Sequence, residues 1–86
     1  MKIVWDHAKR QANIAKHGMD FATLTEEFFA DALVVSAKSG RYQAIGKDAH
    51  GVISVIFGIL GLEAFSVISM RPASNKERKL YEAKGS

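Results

Sequence analysis

Val52-Ile53-Ser54-Val55-Ile56-Phe57 is the stretch that decides the fold class. Four of its six residues are β-branched, the composition of a strand in the middle of a sheet. The apolar run around it extends only to Leu62 and is broken by Gly58 and Gly61. It is too short to cross a bilayer and reads as a buried strand with a turn over residues 58–61. Upstream, Ser39-Gly40 is a turn signal between Leu33-Val34-Val35 and Arg41-Tyr42-Gln43-Ala44-Ile45, which read as paired strands. Residues 46–51 read as a polar loop. Downstream, residues 65–70 form a further strand, ended by Pro72, which cannot donate to a ladder. Short connections favour antiparallel pairing.

The flanks are helical. Asp6 is a good N-cap, and Gly18 stands where a left-handed C-terminal residue belongs, with Lys16 and His17 in the last turn. Residues 6–17 are therefore expected to be one helix, with Ile3 to Trp5 a short strand or lead-in. Asp20 is expected to cap a second helix carrying Phe21, Leu24, Phe28 and Phe29 at helical spacing. Ser74 and Glu77 form a capping box for a last helix from Asn75 to about residue 83. The expected architecture is α+β: a small antiparallel sheet of three to four strands, two N-terminal helices and one C-terminal helix. At 86 residues the chain reads as a single domain over residues 1–86. A chain of this size buries only about 60–65% of its unfolded surface, so one modest core is expected.

Composition narrows the chemistry. The chain has no cysteine, which excludes disulfides, thiolate metal sites and a cysteine nucleophile and suits a reducing cytoplasm. Three scattered histidines make no metal cage. The net charge is +3, unevenly spread. Residues 1–20 carry +2, residues 21–70 carry −2 and residues 71–86 carry +3. If the two basic ends meet, they form one patch for a polyanion; otherwise they are solvated helix faces.

Within those ends, Lys9, Asn13 and Lys16 lie at i, i+4 and i+7 on one helix face, with His17 beside them. That stripe suits a phosphate, or is a solvent-facing basic helix. Arg71 stands at a strand end before Pro72 and is the cation least easily explained as packing; its planar fork suits phosphate. Glu77 reads first as the capping-box residue, with Tyr81 four residues on. Arg41, beside a turn, either joins the same cleft or marks a hairpin end. No phosphate-binding glycine loop, paired-carboxylate site or nucleophile motif is present.

Three ordered pieces of the chain carry a resemblance. Trp5-Asp6, Lys9, Asn13, Lys16-His17-Gly18 and Phe21 follow the pattern W-D-x-x-K-x-x-x-N-x-x-K-H-G-x-x-F. Arg41 to Gly46 forms the middle piece. Ile68-Ser69, Arg71, Ala73, Glu77-Arg78 and Tyr81 follow I-S-x-R-x-A-x-x-x-E-R-x-x-Y. In these the chain resembles the BrnT family of toxins. The resemblance implies a RelE-like fold and the toxin half of a type II toxin–antitoxin pair. It implies an RNA substrate, cleaved to stop translation, and a BrnA-type antitoxin through which the complex binds operator DNA. It implies neither cofactor nor metal, and no membrane. On that basis Arg71 is expected to stabilise charge on the phosphate, and His17 to move a proton, with Glu77 or Tyr81 in reserve. Lys9, Asn13, Lys16 and Arg41 are expected to bind RNA. Many relatives carry a polar or charged residue between the third and fourth strands, where this chain has Phe57-Gly58-Ile59-Leu60-Gly61-Leu62. The competing expectation is a weakened homologue that only binds its antitoxin, with Ile59, Leu60 and Leu62 as a partner patch unless they are simply buried. A third is direct DNA binding by the basic ends.

Overall fold

The computed structural model describes residues 1–85. The chain runs β1 (Lys2–Trp5), α1 (His7–His17), a 3₁₀ turn (Phe21–Thr23), α2 (Glu26–Asp31) and β2 (Leu33–Ser36). A second 3₁₀ turn (Lys38–Gly40) leads into β3 (Tyr42–Asp48), β4 (Gly51–Leu60), β5 (Ala64–Pro72) and α3 (Asn75–Lys84). The α+β class is as expected, but the sheet has five strands, in the order β1-β5-β4-β3-β2, and is mixed. β1 pairs parallel with β5, while β2 to β5 pair antiparallel. That corrects the expected three to four antiparallel strands. Ile3 to Trp5, expected as a short strand or lead-in, lies in strand β1; its parallel pairing was not expected, because the partner lies some sixty residues along the chain.

The second expected helix is split. Asp20 does cap, accepting from Ala22 N, but what it caps is the single 3₁₀ turn. Leu24 is extended (φ −70°, ψ 141°), and Thr25 starts α2 afresh, its hydroxyl accepting from Phe28 N. Phe21, Leu24, Phe28 and Phe29 are nevertheless all buried. Their spacing recorded burial against the sheet, not one continuous helix.

Two glycine stretches expected to be loops continue as strand. β3 extends through Gly46 because α2 lies flush on it. A Cβ there would stand 2.8 Å from Phe28 Cε1 and 3.2 Å from Ala32 Cβ, closer than side chains pack. β4 runs on through Gly58 to Leu60, and only Gly61 (φ 60°) makes the turn.

Alternation along the strands divides the sheet into two faces. One carries Ala44, Ile53, Val55, Phe57, Val67 and Met70, packed beneath the four buried residues from the 3₁₀ turn and α2. Phe57 stacks on Phe65 at 4.7 Å and meets Phe29 edge-on at 5.1 Å. Full burial of a side chain such as Phe57 contributes about 1.5–3 kcal/mol. The other face carries Gln43, Ile45, Ser54, Ile56, Ser69 and Arg71 by the same register. α3 covers only the part nearest β2 and β3, so the area around Ile56, Gly58, Ser66 and Ser69 is half-buried and open. A Cβ at Gly58 would meet nothing within 4 Å. Beyond it, Ile59 and Leu60 are exposed and Leu62 fully so, which rules out simple burial for that cluster.

Candidate active site

α1 lies beside β5 where β1 stops. β1 pairs with β5 only as far as Trp5 opposite Val67, which leaves the edge of β5 beyond it without a strand neighbour. Asn13 fills that place. Its Oδ1 accepts from Met70 N at 3.0 Å, and its Nδ2 donates to Met70 O at 2.9 Å and Met19 O at 3.0 Å. The amide thus takes the place of a backbone partner beyond the end of β1. The residue is 6% exposed. Lys9 and Lys16 share its stripe, as the spacing required, but stand on the rim while Asn13 forms the base. With His17, Ala12, Ile68 and Ser69 they line a groove of about 190 Å³ between α1 and β5.

Arg71 follows Ser69 by two residues on the same face of β5. Its Nη1 donates to Glu77 Oε1 at 2.8 Å and Pro72 O at 3.1 Å, and its Nη2 to Glu77 Oε2 at 2.9 Å. A guanidinium has five N–H donors. Among the described residues these bonds use three of them. The Nε–H and the second Nη2–H, which lie side by side on one edge, remain open on a side chain 39% exposed. That edge is the fork that matches two oxygens of a phosphate. Arg10, by contrast, spends the same edge on Asp20, with Nε and Nη2 donating at 2.7 and 2.8 Å.

Glu77 is both the capping-box residue and the anchor of Arg71. Its Oε1 also accepts from Ser74 N at 2.8 Å, and Oε2 from Gln43 Nε2 at 2.7 Å. The Arg71 hydrogen bonds, helped by Ser74 and Gln43 and opposed by burial, hold its carboxyl at about 2. A carboxylate held so low is a poor proton acceptor near neutrality. Asp20 is likewise held at about 2, by its hydrogen bond from Arg10. Both groups are lowered in the folded chain, so their stabilisation is complete above their ordinary values and is lost as pH falls from about 4.5 towards 2. Thermal unfolding followed at pH 7, 4 and 2.5 is expected to give a falling Tm. Glu77→Gln starts lower and falls by less.

The remaining expected residues lie apart from Arg71. Tyr81, one turn beyond Glu77, opens on a different hollow of about 600 Å³ with Glu27, Phe28, Asp31, Lys47 and Asp48. Arg41 is exposed at the start of β3. The register puts Ser54 opposite Arg71 and Phe57 opposite Tyr42, so Arg41 sits about 13 Å further along the strands, two strands away, at roughly 3.3 Å per residue. Gln43 and Ser54 carried no expected role. Their signal was polarity out of place, an amide and a hydroxyl inside apolar central strands. Among the described residues no group of three or more His, Asp or Glu side chains is placed to hold a metal ion. Nor, among the described residues, is any helix long and apolar enough to cross a membrane.

Residues 5–77, spanning the groove on α1 and the Arg71–Glu77 pair, match the family described as ribonuclease toxin, BrnT, of type II toxin–antitoxin systems. The chain belongs to the BrnT family. It is also similar to the crystal structure of the Brucella abortus ribonuclease toxin BrnT, with 56% identity and a TM-score of 0.81, over 87% of this chain and 99% of that one. No curated protein matches. For a BrnT chain, the match brackets every side chain described above except Tyr81.

Proposed function

We propose that the chain is a ribonuclease toxin acting in the cytoplasm, cleaving RNA by promoting attack of a 2′-hydroxyl on the adjacent phosphodiester and thereby stopping translation. The nucleophile is built into the substrate, so this route asks for no metal. The protein must hold the geometry, neutralise the charge that grows on phosphorus and move two protons. The open edge of Arg71 binds the reacting phosphate. Lys9, Lys16 and Arg41 bind flanking phosphates, with Asn13 holding the groove between α1 and β5 in shape. His17 is the proton-transfer residue, an imidazole being suited to that task near neutrality; Tyr81, on the other hollow, and Glu77, held as a carboxylate by Arg71, take no part in it. The observation that carries this reading is a guanidinium oriented by Glu77 yet half free, on an open sheet face beside a groove rimmed by cations. Membership in a toxin–antitoxin family supports an antitoxin partner; in this reading it is of the BrnA type, and its DNA-binding domain carries the complex to its operator.

Exposure of Ile59, Leu60 and Leu62 favours a second reading, in which this chain only binds its antitoxin, through that apolar tip. The two readings part on a simple experiment. Induction without the partner is expected to arrest growth and degrade RNA, and purified protein to cleave RNA equally well with and without chelator. Normal growth with intact RNA leaves only the second reading. Loss of cleavage in chelator removes the metal-free route.

A further inference from the structure

We propose that Gln43 is a positioning residue for RNA cleavage, holding Glu77 so that the open edge of Arg71 is presented to the sheet face; this rests on the reading of Arg71 as the phosphate-binding cation. Gln43 is the second residue of β3, on the same face as Ser54 and Arg71. Its Nε2 donates to Ser54 Oγ at 2.8 Å and to Glu77 Oε2 at 2.7 Å. A carboxylate only accepts, so the amide cannot be reversed. Both amide hydrogens are thereby committed.

The bond to Glu77 differs in kind from the carboxylate's other contacts. Ser74 belongs to the cap of α3 itself, and Arg71 is the side chain being oriented. Those contacts, with Pro72 O, hold carboxylate and guanidinium only to the backbone between β5 and α3. Gln43 ties the pair to a strand two places across the sheet, and Ser54, 1% exposed, fixes the amide from its other side. Oε2 is the shared atom: it accepts from Gln43 and from Arg71 Nη2, the nitrogen whose second hydrogen belongs to the open edge. A long polar side chain in a central strand is unfavourable unless such bonds are made.

The test is steady-state cleavage of a short defined RNA across pH by wild type, Gln43→Leu, Glu77→Gln and the double variant, each also unfolded thermally at pH 7, 4 and 2.5. Gln43→Leu is expected to lower kcat about tenfold with KM changed by less than about twofold, the signature of misplacement rather than lost binding. Between about pH 4.5 and 2 its Tm falls by less than that of wild type, since Glu77 loses one of the donors that favour its charged form and its carboxyl rises towards its ordinary value. In the Glu77→Gln background the same substitution costs less than about twofold, because the path is already cut. Equal losses in both backgrounds, or a Tm that falls on acidification as far as that of wild type, overturn the proposal. If Gln43→Leu does not fold, Gln43→Glu serves. It keeps the length but sets a second carboxylate against Glu77, so it is expected to be weak at neutral pH and to recover on acidification, when one carboxyl protonates and donates. A variant inactive at every pH overturns the proposal. Retained cleavage in Arg71→Ala refutes the underlying reading of Arg71 instead, and is told apart by that variant alone.

Discussion

Arg71→Ala is expected to lower kcat/KM for RNA cleavage about 10²–10³-fold, the loss seen when one donor to a developing oxyanion is removed. The fold should survive. Glu77 keeps its hydrogen bonds from Ser74 and Gln43, and the Arg71 side chain is partly exposed, so its removal opens no buried cavity. Arg71→Lys separates charge from shape. An ammonium is a point charge that cannot both bond the two Glu77 oxygens and offer a second flat edge. Little activity is therefore expected to return with lysine. Single-turnover rates on a defined RNA measure both variants. A loss below about threefold for Arg71→Ala would falsify the assignment, and full rescue by lysine would show that charge alone is needed.

The largest effect on stability is expected at Asn13. Asn13→Ala strips partners from Met70 N, Met70 O and Met19 O together, all inside the protein. Each unsatisfied group costs about 1–3 kcal/mol, and partial relaxation or entry of water limits the sum to about 3–5 kcal/mol. For a chain near this size each kcal/mol moves Tm by about 4–8 °C, so a drop above about 12 °C is expected. Asn13→Asp should be no better near neutral pH: its carboxylate still accepts from Met70 N but faces two carbonyl oxygens with nothing to donate. Urea unfolding followed by circular dichroism decides, and a loss under 1 kcal/mol for Asn13→Ala would mean that α1 is held to β5 by other contacts.

Asn13 also illustrates where reading the sequence stops. Its spacing from Lys9 and Lys16 correctly put the three on one stripe, yet nothing in that spacing says that the middle residue points at an unpaired strand edge. The caps at Asp6, Gly18, Ser74 and Glu77 were legible, since each is settled within one turn of backbone. So were the four later strands, each an apolar stretch set off by a turn, a loop or Pro72. β1 was legible only as a short strand or lead-in, since its parallel pairing with residues 64–67 is decided by a partner at the far end of the chain. The break at Leu24 was hidden because an interrupted helix and a continuous one can bury the same residues. Gln43 was visible only as an amide where an apolar residue would be ordinary; its purpose required knowing that β3 and the cap of α3 come together.

Local chemistry determined the helix ends, the strand segments and the placing of Arg71 at a strand end before a proline, because those signals act over a few bonds. Tertiary structure alone decided the parallel edge strand, the use of Asn13 as its continuation, and the division of the Arg71 guanidinium into a bound half and an open half. Each of those depends on which backbone edge or side chain is left without a neighbour once the sheet has assembled. That is a property of the packed chain, and no window of sequence contains it.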